Sequence, residues 1–147
     1  MPHARQEIRD QMITTLTGLT TTGSAVNNSR VYDHAVLPCL SVYTLSEEVE
    51  EGLESAGKQF RSLSVMVEIR AKATDNLEDT LDTISAEVET AIFASGDQTL
   101  SGKCKYFDFE GSDVELSGDA ERPYGLMTMR FVAMYRVNRS DVTTLIA

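Results

Sequence analysis

The strongest constraint on the fold is a regular alternation of apolar and mostly polar side chains over residues 60–73. Five apolar residues occupy every second position: Leu63, Val65, Val67, Ile69 and Ala71. Successive side chains of a β-strand point to opposite faces of its sheet. The segment therefore predicts a strand that is buried on one face, and that face requires a covering layer.

Two segments have the spacing of amphipathic helices, in which apolar residues recur every three or four positions. In the first, over about residues 3–18, these are Ile8, Met12, Leu16 and Leu19. In the second, over about residues 75–94, they are Leu77, Leu81, Ile84, Val88 and Ile92. Thr74-Asp75 is the expected N-cap of the second helix, because short oxygen-bearing side chains accept the free N–H groups of the first turn.

Three further strands are predicted at about residues 40–44, 102–110 and 126–138, with a short extended piece at 113–116. Residues 24–36 are polar, and Asn27-Asn28 is expected to form a turn. The acidic segment over residues 46–58 contains two glycines and is interpreted as an exposed loop joining the first two strands.

The element order is helix, strand, strand, helix, strand, strand. This order predicts an α+β fold, with one largely antiparallel sheet of about four strands and two helices packed on one face. Residues 1–147 are expected to form a single domain, with residues 139–147 as a C-terminal tail that can be flexible.

The charge balance restricts the function. Thirteen basic and 23 acidic residues give a formal net charge of −10. Proteins that hold nucleic acid by its phosphates need a positive face, so this class is disfavoured. No apolar run is long enough for a membrane span, and the first residues lack the apolar core of a signal peptide, so we expect a chain made in a reducing cytoplasm.

Motifs that carry chemistry are sparse. Cys39 and Cys104 are far apart in sequence, form no CxxC pair, and are interpreted as reduced, buried or half-buried thiols. His34 lies in a polar segment and is expected at the surface. Asp108 and Glu110 alternate in a strand and could hold a divalent ion, although a solvated strand face explains them equally well. We predict no catalytic, cofactor or metal site.

The first third of the chain combines a helix, a threonine-rich turn and an apolar strand. Its pattern reads Ile8-Arg9-x-x-Met12 to Leu16-Thr17-Gly18-Leu19, then Thr20-Thr21-Thr22-Gly23-x-x-Val26-x-x-Ser29-Arg30-Val31-Tyr32, then Leu37-Pro38-Cys39-Leu40-x-Val42-Tyr43. Over about residues 5–45 this pattern resembles the tail terminators of long-tailed phages, the minor tail protein U type. Beyond those residues, the resemblance rests on chain length and element order.

The resemblance implies a structural virion protein without a cofactor. Its subunits would form a ring, a hexamer, on the head-proximal end of the tail tube, where the ring stops tube growth and offers a joining surface to the head–tail connector. The implied partners are therefore further copies of the chain, the tail tube protein and the connector or neck protein. DNA would pass through the lumen without specific binding, and acidic residues 46–55 facing the lumen would repel its phosphates.

A ring requires contacts between different surfaces of neighbouring subunits. The candidate interface residues come from the polar segment, the acidic segment and the stretch before the last strand: Arg30, Tyr32, Glu47, Glu48, Glu50, Glu51, Asp113, Glu115, Arg122 and Tyr124. The alternative for each is an ordinary surface position.

Four other functions stay open. Within phages these are a neck or head-completion adaptor and, with a weaker match, the tail tube subunit, for which a stronger β-sandwich pattern is expected. Outside phages, the chain could be a small acidic enzyme using Asp108, Glu110 and His34, or an acidic binding module.

Overall fold

The computed structural model describes residues 2–28, 37–50, 57–72, 76–116 and 124–146. Within these ranges the chain is α+β, with two α-helices, a short 3-10 turn (Ala94–Gly96) and a five-stranded mixed sheet. The helices are α1 (Ala4–Leu16) and α2 (Leu77–Ile92), and the strands are β1 (Val26–Asn27), β2 (Cys39–Glu50), β3 (Lys58–Lys72), β4 (Tyr106–Leu116) and β5 (Tyr124–Asn138). The strand order is β1-β2-β3-β5-β4, with β1 parallel to β2 and all other pairs antiparallel.

The alternating segment forms the central strand of the sheet. β3 pairs with β2 on one side and along its whole length with β5 on the other. Its five apolar side chains, from Leu63 to Ala71, are at most 1% exposed. The predicted one-sided apolar strand is confirmed, and Met66 and Glu68 on the opposite face are also buried.

Both helices pack on the same face of the sheet, as predicted. α1 buries Ala4, Ile8, Met12 and Leu16, and α2 buries Leu81, Ile84, Val88 and Ile92. These side chains form one apolar core with the inner side chains of β2, β3 and β5. Gly125 marks the closest approach of the layers, because an added Cβ would lie 2.8 Å from Cδ1 of Leu81.

An aromatic group fills the core beneath the end of α2. The ring of Phe131 on β5 lies 5.4 Å from the rings of Phe107 and Phe109 on β4 and 6.4 Å from that of Phe93. Phe107 and Phe131 are stacked at an interplanar angle of 15°. Phe131 therefore joins β4, β5 and the C-terminal end of α2.

The predicted strand number was one short because β1 has only two residues. The prediction of a turn at Asn27-Asn28 is wrong for Asn27, which belongs to β1. Asn27 pairs in parallel with Ser41, and Val26 pairs with Leu40. The backbone N–H of Leu40 also donates to the carbonyl of Ala25 (2.9 Å). A two-residue strand has no readable alternation, so its pairing comes from tertiary contacts.

The interpretation of residues 46–58 as a loop is wrong at both ends. β2 continues to Glu50, and β3 begins at Lys58. A β-bulge between Thr44 and Glu47 adds one residue to β2, which shifts the phase of its side chains. The acidic composition of the segment favoured a loop, although its ends belong to the two strands. Residues 51–56 of the predicted loop lie outside the described residues.

β4 differs from the prediction in its position. It begins at Tyr106 rather than near residue 102, and it includes the separately predicted piece at 113–116. A bulge between Phe109 and Gly111 interrupts its alternation. Gly111 has a φ of +158°, a conformation that favours glycine, and an added Cβ there would displace the flexible end of the Arg130 side chain, 2.7 Å away.

The helix cap and the C-terminal segment complete the fold. Asn76, in a left-handed conformation, precedes α2, whereas Thr74 and Asp75 of the predicted cap lie outside the described residues. After β5 the chain turns back, and the carbonyl of Val142 accepts the backbone N–H of Ala4 (2.8 Å). Val142 and Leu145 pack against the core. Residues 142–146 therefore contact the body of the domain.

Candidate functional site

The predicted interface residues do not form one site in the described structure. Arg30, Tyr32, Glu51 and Arg122 lie outside the described residues, and of Tyr124 only the backbone, the first residue of β5, is described. The remaining five are Glu47, Glu48, Glu50, Asp113 and Glu115. The first three end β2 and the last two end β4, so they lie at opposite edges and opposite ends of the sheet.

Glu47 is the centre of a polar cluster at one end of the covered face. The β2 bulge pairs Glu47 with Leu63 and so directs its side chain inward. Its Oε2 accepts from Nη1 of Arg5 on α1 (2.9 Å) and from Nη1 of Arg61 on β3 (3.4 Å). Its Oε1 accepts from the hydroxyl of Tyr135 on β5. One carboxylate therefore joins a helix and three strands.

The cluster is mostly shielded from solvent. The side chains of Glu47 and Arg61 are 15% and 14% exposed, and Tyr135 is 1% exposed. Burial, followed by the hydrogen bond to the Glu47 carboxylate, raises the pKa of Tyr135 well above its ordinary value. The Tyr135 hydroxyl therefore stays protonated as a donor, and the arrangement favours a structural role over proton transfer.

His3 borders this cluster and caps α1. Its Nδ1 accepts the backbone N–H of Arg5 (3.2 Å), and its Nε2 lies 3.4 Å from Nη1 of Arg61. Burial, followed by the positive charge of Arg5, lowers the pKa of His3 below its ordinary value of 6.5, although Glu47 partly opposes this shift. The neutral ring is therefore the form that fits the folded protein.

The lowered pKa of His3 predicts a loss of stability in mild acid. The unfolded chain binds the proton more tightly, so the contribution of His3 is complete above about pH 7.5 and declines as the pH falls through about 6.5. The decline levels off below the pKa that His3 has in the folded state. Urea unfolding at about pH 8 and about pH 5.5 measures this decline. We expect His3 to lower the free energy of unfolding by less than the about 1 kcal/mol that a whole N-cap contributes.

The His3→Asn variant tests this assignment, because asparagine caps helices well and does not titrate in this range. We expect His3→Asn to remove part of the decline in acid. The matched control is His34→Gln, which removes the other histidine. Equal declines for His3→Asn and the unchanged protein would contradict the role of His3.

Two of the four carboxylates of β4 are engaged with neighbouring groups. Asp108 accepts from the hydroxyl of Tyr106 (2.7 Å) and from the backbone N–H of Phe109 (2.8 Å), and Asp113 pairs with Arg130 across the bulge. Glu110 is the extra residue of that bulge; it is exposed and has no Cα partner on β5. No group of three His, Cys, Asp or Glu side chains in the described part of the chain is placed to hold a metal ion.

The two thiols are buried and reduced, as predicted, and neither forms a disulfide. Cys39 opens β2, whereas Cys104 lies in the turn before β4 rather than in a strand. Burial raises the pKa of Cys39 and raises that of Cys104 to about 12, so neither thiol is activated as a nucleophile. His34 lies outside the described residues.

The sequence interpretation missed the cluster around Glu47. Its only signal was Tyr135, which shares the inner face of β5 with apolar residues and carries a hydroxyl that needs a partner when buried. No run or spacing of residues linked that hydroxyl to Arg5, Arg61 or Glu47. The bulge that brings them together follows from strand pairing.

Comparison with known proteins gives no family assignment. No protein-family model matches the chain, and no curated protein matches it significantly. Among the described helices, none is long and apolar enough to cross a membrane.

Proposed function

We propose that this protein is a structural virion subunit, a tail terminator of a long-tailed phage. In this role it forms a homo-oligomeric ring, a hexamer, that caps the head-proximal end of the tail tube. The ring stops tube polymerisation and joins the tube to the head–tail connector. The subunit is made in the host cytoplasm and functions in the virion.

One observation carries the proposal. The residues that resemble tail terminators are those that connect α1 to the sheet, including the fully buried Ile8, Met12, Leu16 and Leu40. The Thr20–Gly23 turn between them is also anchored, because Thr21 donates its backbone N–H (2.9 Å) and its hydroxyl (2.5 Å) to Glu87 on α2. The resemblance therefore includes buried core residues and an anchored turn, rather than only scattered surface positions.

The arrangement of charge supports a subunit around a DNA channel. The formal net charge is −10, and Glu48 and Glu50 remain near the surface at one sheet edge. Negative charge along a lumen repels phosphates and limits adhesion of the passing DNA. Glu47 is excluded from this role because its carboxylate is held by the polar cluster.

The edges of the sheet supply different surfaces for the contacts of a ring subunit. A ring joins two different surfaces of each subunit, and in the described chain β4 and the part of β2 beyond its pairing with β1 are two different edges. Both edges carry carboxylates, which would repel each other if placed together. We therefore expect at least one edge to face the lumen, the tube or the connector.

Electron microscopy of lysates from a phage that lacks this gene tests the proposal. A missing terminator leaves tube growth unchecked, so we expect overlong tubes of variable length without heads. Tails of uniform, normal length beside unattached heads would instead indicate a neck or head-completion adaptor.

Complementation distinguishes a structural role from the enzyme alternative. A gene copy with Asp108→Asn, Glu110→Gln and His34→Gln should restore tails of normal length, because the tail-terminator role needs no chemistry from these side chains. Neither Asp108 nor Glu110 belongs to the core or to the cluster around Glu47. Failure to restore tails while the variant protein is folded would support an activity that depends on these residues.

A further inference from the structure

The C-terminal half of β4 is an open edge of the sheet. β4 is the last strand in the sheet order, and in the described part of the chain it pairs only with β5. Residues 112–116 are all exposed, and the apolar side chains of Val114 and Leu116 are 46% and 51% exposed. Open strand edges with exposed apolar residues readily accept a further strand.

A groove lies beside this edge, between β4 and α2. Its volume is about 240 Å³, and it is lined by Glu78, Leu81, Asp82, Val114 and Met127. Leu81, Met127 and Val114 give the groove an apolar floor, and the exposed carboxylates of Glu78 and Asp82 form its rim. Such a combination fits a long side chain with an aliphatic stem and a positive head group.

The charge of the rim is not balanced within the described chain. Glu78 and Asp82 are four positions apart on α2, a spacing at which like charges destabilise a helix. The helix carries five carboxylates and no basic residue. No ion pair joins Glu78 or Asp82 to another described residue. A cation seated between them would relieve the repulsion.

The outer side of the same edge is also acidic. Asp113 and Glu115 alternate with Val114 and Leu116, so the carboxylates point away from the groove side of the strand. Asp113 pairs with Arg130, whereas Glu115 has no ion pair among the described residues. A strand added to this edge meets carboxylates on both of its faces.

We propose that the β4–α2 groove binds an extended, basic segment of a partner protein, which pairs with the free edge of β4. One lysine or arginine of the segment places its stem on the apolar floor and its head group between Glu78 and Asp82. Basic side chains on the other face of the segment lie over Asp113 and Glu115. A second copy carries a formal net charge of −10, and its acidic β2 edge would repel this surface, so we assign the segment to a different, basic protein.

This inference goes beyond the tail-terminator role and does not depend on it, because the groove chemistry is the same in any assembly. A fluorescently labelled nonapeptide with the repeat Lys-Lys-Val-Val, which places lysines on both faces of a strand, is the probe. At low salt we expect saturable binding, and amide chemical shifts should change at residues 110–116 and 77–82. Higher salt should weaken this binding because the contacts are partly electrostatic.

Two altered peptides separate strand pairing from general attraction. The same peptide with glutamate in place of every lysine should not bind. A lysine–valine peptide with N-methylated backbone amides keeps its charge but cannot donate to β4, so it should bind at least about fivefold more weakly. Equal binding of the methylated and unmethylated peptides would overturn the strand-addition geometry.

Protein variants test the position of the site. Glu78→Gln with Asp82→Asn should raise the Kd for the lysine–valine peptide at low salt by about fivefold or more. The matched control, Asp79→Asn with Glu89→Gln, removes the same charge from the same helix but does not touch the groove lining, and it should change the Kd less than about twofold. Equal weakening by both double variants would overturn the proposed site.

Discussion

Replacing Phe131 with alanine is expected to lower the free energy of unfolding by about 3–5 kcal/mol, the usual effect of removing a large aromatic side chain from a core. Phe131 is fully buried and contacts the rings of Phe93, Phe107 and Phe109. Its removal leaves a cavity where β4, β5 and the end of α2 meet. Typical domains have about 5–15 kcal/mol of stability, so this loss is a large fraction of the total.

Urea unfolding followed by far-UV circular dichroism measures this effect, since the chain has no tryptophan. The matched control is Phe60→Ala on the uncovered face of β3, where the ring is only half-buried and lies 5.4 Å from the guanidinium of Arg136. We expect the free energy of unfolding of the control to fall by about 1 kcal/mol. Similar losses in both variants would contradict the central position of Phe131.

Replacing Glu47 with alanine is expected to have the second large effect, lowering the free energy of unfolding by about 2–3 kcal/mol. The change removes the common acceptor of Arg5, Arg61 and Tyr135. Arg61 and Tyr135 then remain in a poorly hydrated site without it. The estimate lies below the usual range for a buried ion pair because the Glu47 side chain retains 15% exposure.

Two variants identify the origin of this loss. Glu47→Gln keeps an oxygen acceptor but loses the charge, so its unfolding free energy should lie between those of Glu47→Ala and the unchanged protein. Glu48→Ala, at the exposed neighbouring position, should change stability by no more than about 0.5 kcal/mol. A Glu47→Ala variant as stable as Glu48→Ala would place Glu47 in the solvated loop that the sequence suggested.

The sequence predicted the helices and strands in which apolar residues recur at a regular spacing. β3, β5 and both helices repeat their apolar residues over many positions, and their buried faces agree with those repeats. β1 has no such repeat because it is two residues long. Its pairing depends on Leu40, which is brought beside it only when α1 and β2 are packed.

The sequence interpretation failed where one residue changes the register. The bulge in β2 turns Glu47 into the covered face and leaves Glu48 outside, although both belong to the same acidic run. The bulge in β4 likewise shifts the phase of Gly111 and of the residues that follow it. A run of acidic residues contains no information about such shifts, because they are determined by the partner strand.

The pairing of β3 with β5 also determines when this protein can fold during its synthesis. β3 is the middle of the sheet, yet the strand that pairs with its full length is β5, the last of the described strands in chain order. Until β5 leaves the ribosome, the apolar face of β3 lacks this neighbour, and the aromatic group lacks Phe131. Contacts between residues distant in sequence also slow folding. We therefore expect the sheet to be completed only after β5 has been synthesised, with the nascent chain dependent on protection from aggregation until β5 emerges.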